Sequence, residues 1–254
     1  MEPRQTDIFS FIQEKLRIDD VEPMYTAIMR SGLSRKTRMK LCFAEGLADH
    51  LGLASRMAEG DDFWANARAY VAQGQRGGAR RHFRGSVAID ALRRFERKFP
   101  DVTEFFSELP EDYFEAKRFI ISLPQFGPFS AFKIADMAER TCGVFVDFSK
   151  VGLKDFAKFP QRGAGLAAEF LSTSQHRPCA DWEVYENLLR YRWVKKAPPL
   201  FDRPLNAQEL ETCFCNYGHS KWHAPGYEGK ELRKLLAGYG KLAEKIRSNC
   251  SGGD

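Results

Sequence analysis

No run of this sequence approaches the roughly 20 consecutive apolar residues that span a bilayer, and residues 1–11 (MEPRQTDIFSF) lack the basic-then-apolar order of a secretory signal. A soluble, intracellular protein is therefore expected. Cysteine is sparse, six residues in 254, with neither a CxxC pair nor a four-cysteine cluster. That excludes a disulfide scaffold and argues against a zinc ribbon or iron–sulfur centre. Cys213-Phe-Cys215 is the one close pair. His219 and His223 would share a helix face, but Pro225 and Gly226 favour a loop there, so no metal site is expected. Strand patterning is scarce too. Residues 143–147 (GVFVD) are the best candidate, short enough to be a strand or a buried extended loop. Internal repeats and long low-complexity linkers are missing as well.

What is present is apolar and aromatic content of 43% and 13%, enough to bury a sizeable core. Most of it recurs at helical period: Ile8, Phe11, Ile12 and Leu16; Ala88, Leu92 and Phe95; Leu232, Leu235, Leu236 and Leu242. The class is mainly α. Breaks fall at 74–85, Pro100, Leu109-Pro110, 124–128, 160–165 and 197–204. The chain is expected to form a single two-lobed helical unit over residues 1–254, acting as a monomer.

Charge is unevenly spread. The net charge is +5, yet residues 74–98 alone hold eight Arg or Lys against two acids. Such a segment suits a polyanion, because neutralising phosphates releases counterions. Arg76, Arg80, Arg81 and Arg84 are the candidate contacts. The alternative is a solvated basic helix face.

Residues 111–150 are the most informative stretch. A first helix is predicted over Glu111–Ser122, ending at Leu123-Pro124 because proline disfavours helix before it. Gly127 is expected to permit a tight reversal. A second helix starts near Pro128, whose missing N–H costs nothing in a first turn, and runs to Ala138. The free N–H groups opening that second helix can bind a DNA phosphate. Leu123-Pro-Gln-Phe-Gly127-Pro-Phe-Ser-Ala131 resembles the Leu-Pro-Gly-Val-Gly-x-x-Thr-Ala hairpin of the helix-hairpin-helix DNA glycosylases. Val146-Asp147, twenty-four positions after Leu123, resembles the Val-Asp pair that ends in their catalytic aspartate. The resemblance implies a two-lobed, glycosylase-like helical fold, duplex DNA as partner, DNA contacts at Gln125, Gly127, Phe129 and Ser130, and catalysis by Asp147. Phe129 stands where backbone-cleaving members carry lysine, so lyase chemistry is not expected.

Residues 211–234 crowd together Cys213, Cys215, Tyr217, His219, Lys221, Trp222, His223, Tyr227 and Lys230. Gly226 and Gly229 are expected to turn the chain into a helix starting at Lys230, which would suit an anion. Otherwise the segment is an aromatic packing loop with solvated lysines. Glu211-Thr212, Cys215, Gly226-Tyr227 and Gly229-Lys230 resemble a segment of the phage amino acid:DNA transferases (glutamyl or putrescinyl thymine pyrophosphorylases), which hypermodify thymine.

That second resemblance implies an amine, from an amino acid or polyamine co-substrate, displacing pyrophosphate from 5-(pyrophosphoryloxymethyl)uracil in double-stranded DNA. No cofactor is expected, and the setting would be the cytoplasm of a phage-infected bacterium. Asp147 would accept the ammonium proton. Lys221 would assist, and Cys215 would add to uracil C6. Tyr217, His219, Trp222, Tyr227, Lys230 and Arg233 would hold the flipped base and the pyrophosphate. A monofunctional glycosylase and a non-catalytic DNA-binding protein stand as alternatives.

Overall fold

The computed structural model describes residues 8–18, 22–74, 83, 85–152, 155, 205–217 and 227–250. Its helices are α1 (Ile8–Ile18), α2 (Pro23–Arg30), α3 (Arg35–Ala48), α4 (Leu51–Ala58), α5 (Phe63–Ala72), α6 (Gly85–Lys98), α7 (Glu104–Ser107), α8 (Tyr113–Ile121) and α9 (Pro128–Met137). A π-helical turn, Ala138–Cys142, continues α9, and α10 (Ala207–Tyr217), α11 (Tyr227–Leu236) and α12 (Lys241–Arg247) follow. The fold is mainly α. Among the described residues the only β pairing is an isolated parallel bridge between Asp112 and Asp147, and no helix is long and apolar enough to cross a membrane.

The chain divides into two compact units, one of residues 27–147 with 232–249, the other of 1–26, 148–231 and 250–254. In the first, α3 is the central element, packing on α4, α9 and the π turn. Side-chain caps fix where its helices begin. Ser34 accepts from the Thr37 N–H at 3.1 Å, His50 from Leu53 at 3.3 Å and Asp62 from Ala65 at 2.9 Å, each satisfying a donor with no partner inside the helix. Phe43 on α3 anchors an aromatic core. Phe63, Trp64, Phe95, Phe105 and Phe126 all meet it edge-on, with centroids 5.1–6.0 Å away, the arrangement the ring quadrupoles favour. Gly52 lets α4 approach the C-terminal segment, since a Cβ there would lie 2.5 Å from the Leu235 carbonyl oxygen.

In the other unit α1 buries Phe11 and Ile12 and packs on α10. A reciprocal cap opens α10: the Asn206 N–H donates to Glu209 Oε2 at 2.9 Å, and the Glu209 N–H donates to Asn206 Oδ1 at 2.8 Å, closing both donors at once.

Three local expectations are corrected. The first hairpin helix starts at Tyr113, not Glu111, because the Asp112 carboxylate accepts from the N–H groups of Phe114 and Glu115 at 2.9 and 3.1 Å. Leu242 does not share a helix with Leu232, Leu235 and Leu236, because positive φ at Gly238 and Gly240 breaks the run. The C-terminal helix begins at Tyr227, which puts Gly229 in its first turn and not before it. Of the two readings left open for residues 143–147, the structure gives the loop: beyond Gly143 the chain forms no strand and is joined to Asp112 by the one bridge.

Candidate functional site

The hairpin between α8 and α9 is a defined turn clamped to the core. The Phe126 N–H donates to the Leu123 carbonyl at 3.3 Å, closing a four-residue turn with Pro124 second and Gln125 third. Gln125 has φ +64°. Proline followed by positive φ is the type II pattern, which favours glycine at the third position. The reversal therefore rests on Gln125, where the resembling hairpins carry glycine. Gly127, expected to supply it, is instead extended (φ −128°, ψ −175°) and caps α9. Leu123 and Phe126 are buried, and Phe126 stacks on Phe95 at 5.2 Å. That packing holds Gln125, which is exposed, in its strained conformation.

Beyond Gly127 the chain enters α9 at Pro128, with open space where a Cβ on Gly127 would project. The cap residue itself is therefore not crowded, which a phosphate approaching the first N–H groups of α9 would need. Of the residues expected to contact DNA, Gln125 is exposed, Gly127 and Phe129 are partly exposed and Ser130 is buried.

Asp147 is partly exposed at the end of the extended segment. Its backbone is fixed on both sides: its N–H donates to the Glu111 carbonyl at 2.6 Å, and its carbonyl accepts from Tyr113 at 3.3 Å. The start of the segment is fixed by two arginines of α3. Arg35 Nε donates to the Cys142 carbonyl at 2.9 Å and its guanidinium reaches the Gly143 carbonyl at 3.3 Å, while Arg38 Nε donates to Thr141 at 2.5 Å. These carbonyls end the π turn and have no helical acceptor role left, so cations placed there satisfy them and offset the helix dipole. Gly143, at φ +63°, then turns the chain out of the helix. Sequence reasoning missed both arginines, because they act across more than a hundred residues.

The second candidate region is α10. Every residue from Leu205 to Cys213 is at most 8% exposed, including Gln208, Glu209, Glu211 and Thr212. Gln208 has no exposed surface, and neither its amide nitrogen nor its amide oxygen has a hydrogen-bond partner. Helix geometry puts position 208 on the face of 211, 212 and 215. The sequence reading singled out the last three and passed over Gln208. A polar residue three positions before Glu211, a spacing that would share one helix face with it, was the available signal.

Cys215 and Tyr217 lie on α10, and Tyr227 is the first residue of α11. Lys230 is exposed and Arg233 partly exposed. Arg76, Arg80, Arg81, Arg84, His219, Lys221, Trp222 and His223 lie outside the described residues. Four cysteines, Cys42, Cys142, Cys213 and Cys250, are free thiols and buried; burial pushes the Cys42 thiol well above its ordinary value. The described residues hold no cluster of metal-ligating side chains.

A family model for amino acid:DNA transferases matches residues 22–224, which takes in the hairpin, Asp147 and all of α10. A putrescinyltransferase of Delftia phage PhiW-14 is 27% identical over 246 residues, covering 91% of this chain and 78% of that protein. A glycinyltransferase of Pseudomonas phage PaMx11 is 26% identical over 262 residues, covering 90% and 89%. With a family match over most of its length, the chain belongs to the amino acid:DNA transferases, enzymes that modify DNA by transferring an amine-bearing group to it.

Proposed function

We propose that the enzyme displaces pyrophosphate from 5-(pyrophosphoryloxymethyl)uracil in duplex DNA, acting as a monomer on a base turned out of the helix. The amine nitrogen forms a bond to the methylene carbon on C5, the carbon–oxygen bond to pyrophosphate breaks, and the ammonium proton is lost. No electrons are gained or lost, and the leaving group is already activated.

The observation that carries this reading is Asp147, a partly exposed carboxylate on a segment fixed at both ends. It stands in the register of a catalytic aspartate after a helical hairpin whose second helix is capped by Gly127. Its role is to take the proton from the incoming ammonium, since only the free amine attacks. Lys230 and Arg233, with Lys221 and His219, neutralise the departing pyrophosphate. Tyr217, Trp222 and Tyr227 hold the base, and the Cys215 thiolate adds to C6 so that the resulting enolate expels pyrophosphate to leave an exocyclic methylene. The amine adds to that methylene, and the thiolate then leaves C6 to restore the 5,6 double bond. On α10 itself, Gln208 shares the helix face of Cys215, and its unpartnered amide makes it a candidate to orient that residue. DNA is gripped by the hairpin's backbone N–H groups and by Arg76, Arg80, Arg81 and Arg84.

The two phage relatives, almost equally similar, are named for different amines, a diamine and an amino acid. The test therefore offers a pool of both. Duplex DNA carrying the pyrophosphorylated base is incubated with the protein, and its nucleosides are read by mass spectrometry. An amine-linked thymidine with intact glycosidic bonds is expected. Free base and abasic DNA would make the chain a glycosylase instead. Asp147→Asn is expected to lower turnover at least ~100-fold, the scale of a lost general base, with duplex affinity retained. Unchanged turnover would remove Asp147 from the mechanism.

A further inference from the structure

Phe145 is 62% exposed, more than any other large apolar side chain among the described residues; Val87 follows at 54% and Ile121 at 38%. Its neighbours Val144 and Val146 are buried at 9% and 2%. In extended backbone successive side chains point to opposite sides, so burying both valines drives the phenyl ring outward. The outward position is also rigid. Arg35 holds the carbonyls of Cys142 and Gly143, the Val144 N–H donates to Ala138 at 3.2 Å, and Glu111 and Tyr113 hold Asp147. No ring of the described residues stacks on Phe145 to account for it.

We infer that Phe145 is a positioning residue that inserts into the DNA base stack beside the target, holding the duplex open while the base is turned out. This rests on the proposed role of Asp147. Two residues of extended chain span about 7 Å, so ring and carboxylate address neighbouring positions along one strand. Apolar side chains, phenylalanine among them, are the usual wedges between base steps, where they replace stacking lost on unpairing. A flexible exposed aromatic would fold back onto the protein; one on a pinned segment keeps its place for a partner. DNA is the substrate this family acts on.

The test separates unstacking from every other role by comparing two substrates. One presents the target base paired with adenine, the other the same base opposite an abasic site, where turning it out costs least. Phe145→Ala is expected to lower kcat/KM about ten- to a hundredfold on the paired target, the scale of one lost base–aromatic contact. On the unpaired target it should stay near wild type, and Phe145→Leu should restore much of the loss. Equal losses on both substrates, or no loss on either, would overturn the inference. They would point to a structural role, or to an exposed ring serving a protein partner. A second readout needs no chemistry: 2-aminopurine beside the target should brighten when wild type binds and stay dim with Phe145→Ala. Brightening by both proteins, or by neither, would also overturn it. If wild type brightens the probe yet forms no amine-linked nucleoside, the wedge stands and the transferase mechanism falls.

Discussion

Helices α3 and α10 are both deeply buried, and they bury opposite chemistries. On α3 the hidden face is Leu41, Cys42, Phe43, Ala44, Leu47 and Ala48, all at most 1% exposed, and its one buried charge, Lys40, is satisfied by the Gly60 and Asp61 carbonyls at 2.7 and 3.1 Å. On α10 the hidden residues include Gln208, Glu209, Glu211 and Thr212. Burying hydrocarbon stabilises a fold, at about 25 cal/mol per Å² removed from water. Burying an amide without a partner costs about 1–3 kcal/mol. A helix that hides apolar groups is explained by folding alone, whereas one that hides an unsatisfied amide needs a second reason. Glu209 has such a reason in its reciprocal cap with Asn206; Gln208 has none within the protein.

The comparison predicts variants that separate stability from activity in opposite directions. The largest effect belongs to Phe43→Ala, which removes the ring that five others meet. Loss of such a core aromatic costs about 3–5 kcal/mol, and transfer per folded molecule should hardly change. Denaturant unfolding beside an active-site titration checks both halves.

Gln208→Leu should do the reverse. Replacing an enclosed, unpartnered amide with hydrocarbon of similar size should leave stability unchanged or raise it by up to about 1–3 kcal/mol, while transfer to DNA falls. A variant that is more stable and fully active would make Gln208 a structural accident and end the contrast between the two helices.

The sequence displayed these regions unequally, for physical reasons. Periodicity found α1, α6 and α9 because their buried positions recur every three or four residues. It ran α11 and α12 together because a count of leucines does not register the positive φ of Gly238 and Gly240. The hairpin was legible through Pro124 and Pro128, which restrict the chain whatever surrounds them. Its left-handed residue was not, because Gln125 carries no mark of its conformation. Val-Phe-Val is apolar at all three positions, so alternation alone could not say which side faces water; packing decides that Phe145 does. Arg35 and Arg38 carried no signal in the sequence, since the carbonyls they hold lie more than a hundred residues along the chain. Gln208 was invisible because a polar helical residue is read as solvent-facing until its burial is known. Asp147 stood out as a candidate because a motif fixes its distance from the hairpin.

The smallest effect is expected on the exposed face of α3, and it sharpens the contrast by showing what that face does not contribute. Lys36 Nζ lies 2.7 Å from Asp101 Oδ2, with 60% and 39% of the two side chains exposed. The Lys36 ammonium, helped by the Thr103 N–H and hydroxyl, holds the Asp101 carboxyl down at about 2. An unfolded aspartate titrates near 3.9. The depressed group therefore adds stability above about pH 4 and loses it as pH falls through about 2. Solvent screening keeps such a pair small, so Asp101→Asn should cost less than about 1 kcal/mol at neutral pH. The gap between variant and wild type should narrow steadily from pH 4 toward pH 2 and shrink with added salt. Urea unfolding across that range measures it. A gap of several kcal/mol, or one indifferent to pH, would mean that α3 depends on its charged face as well as on its aromatic core.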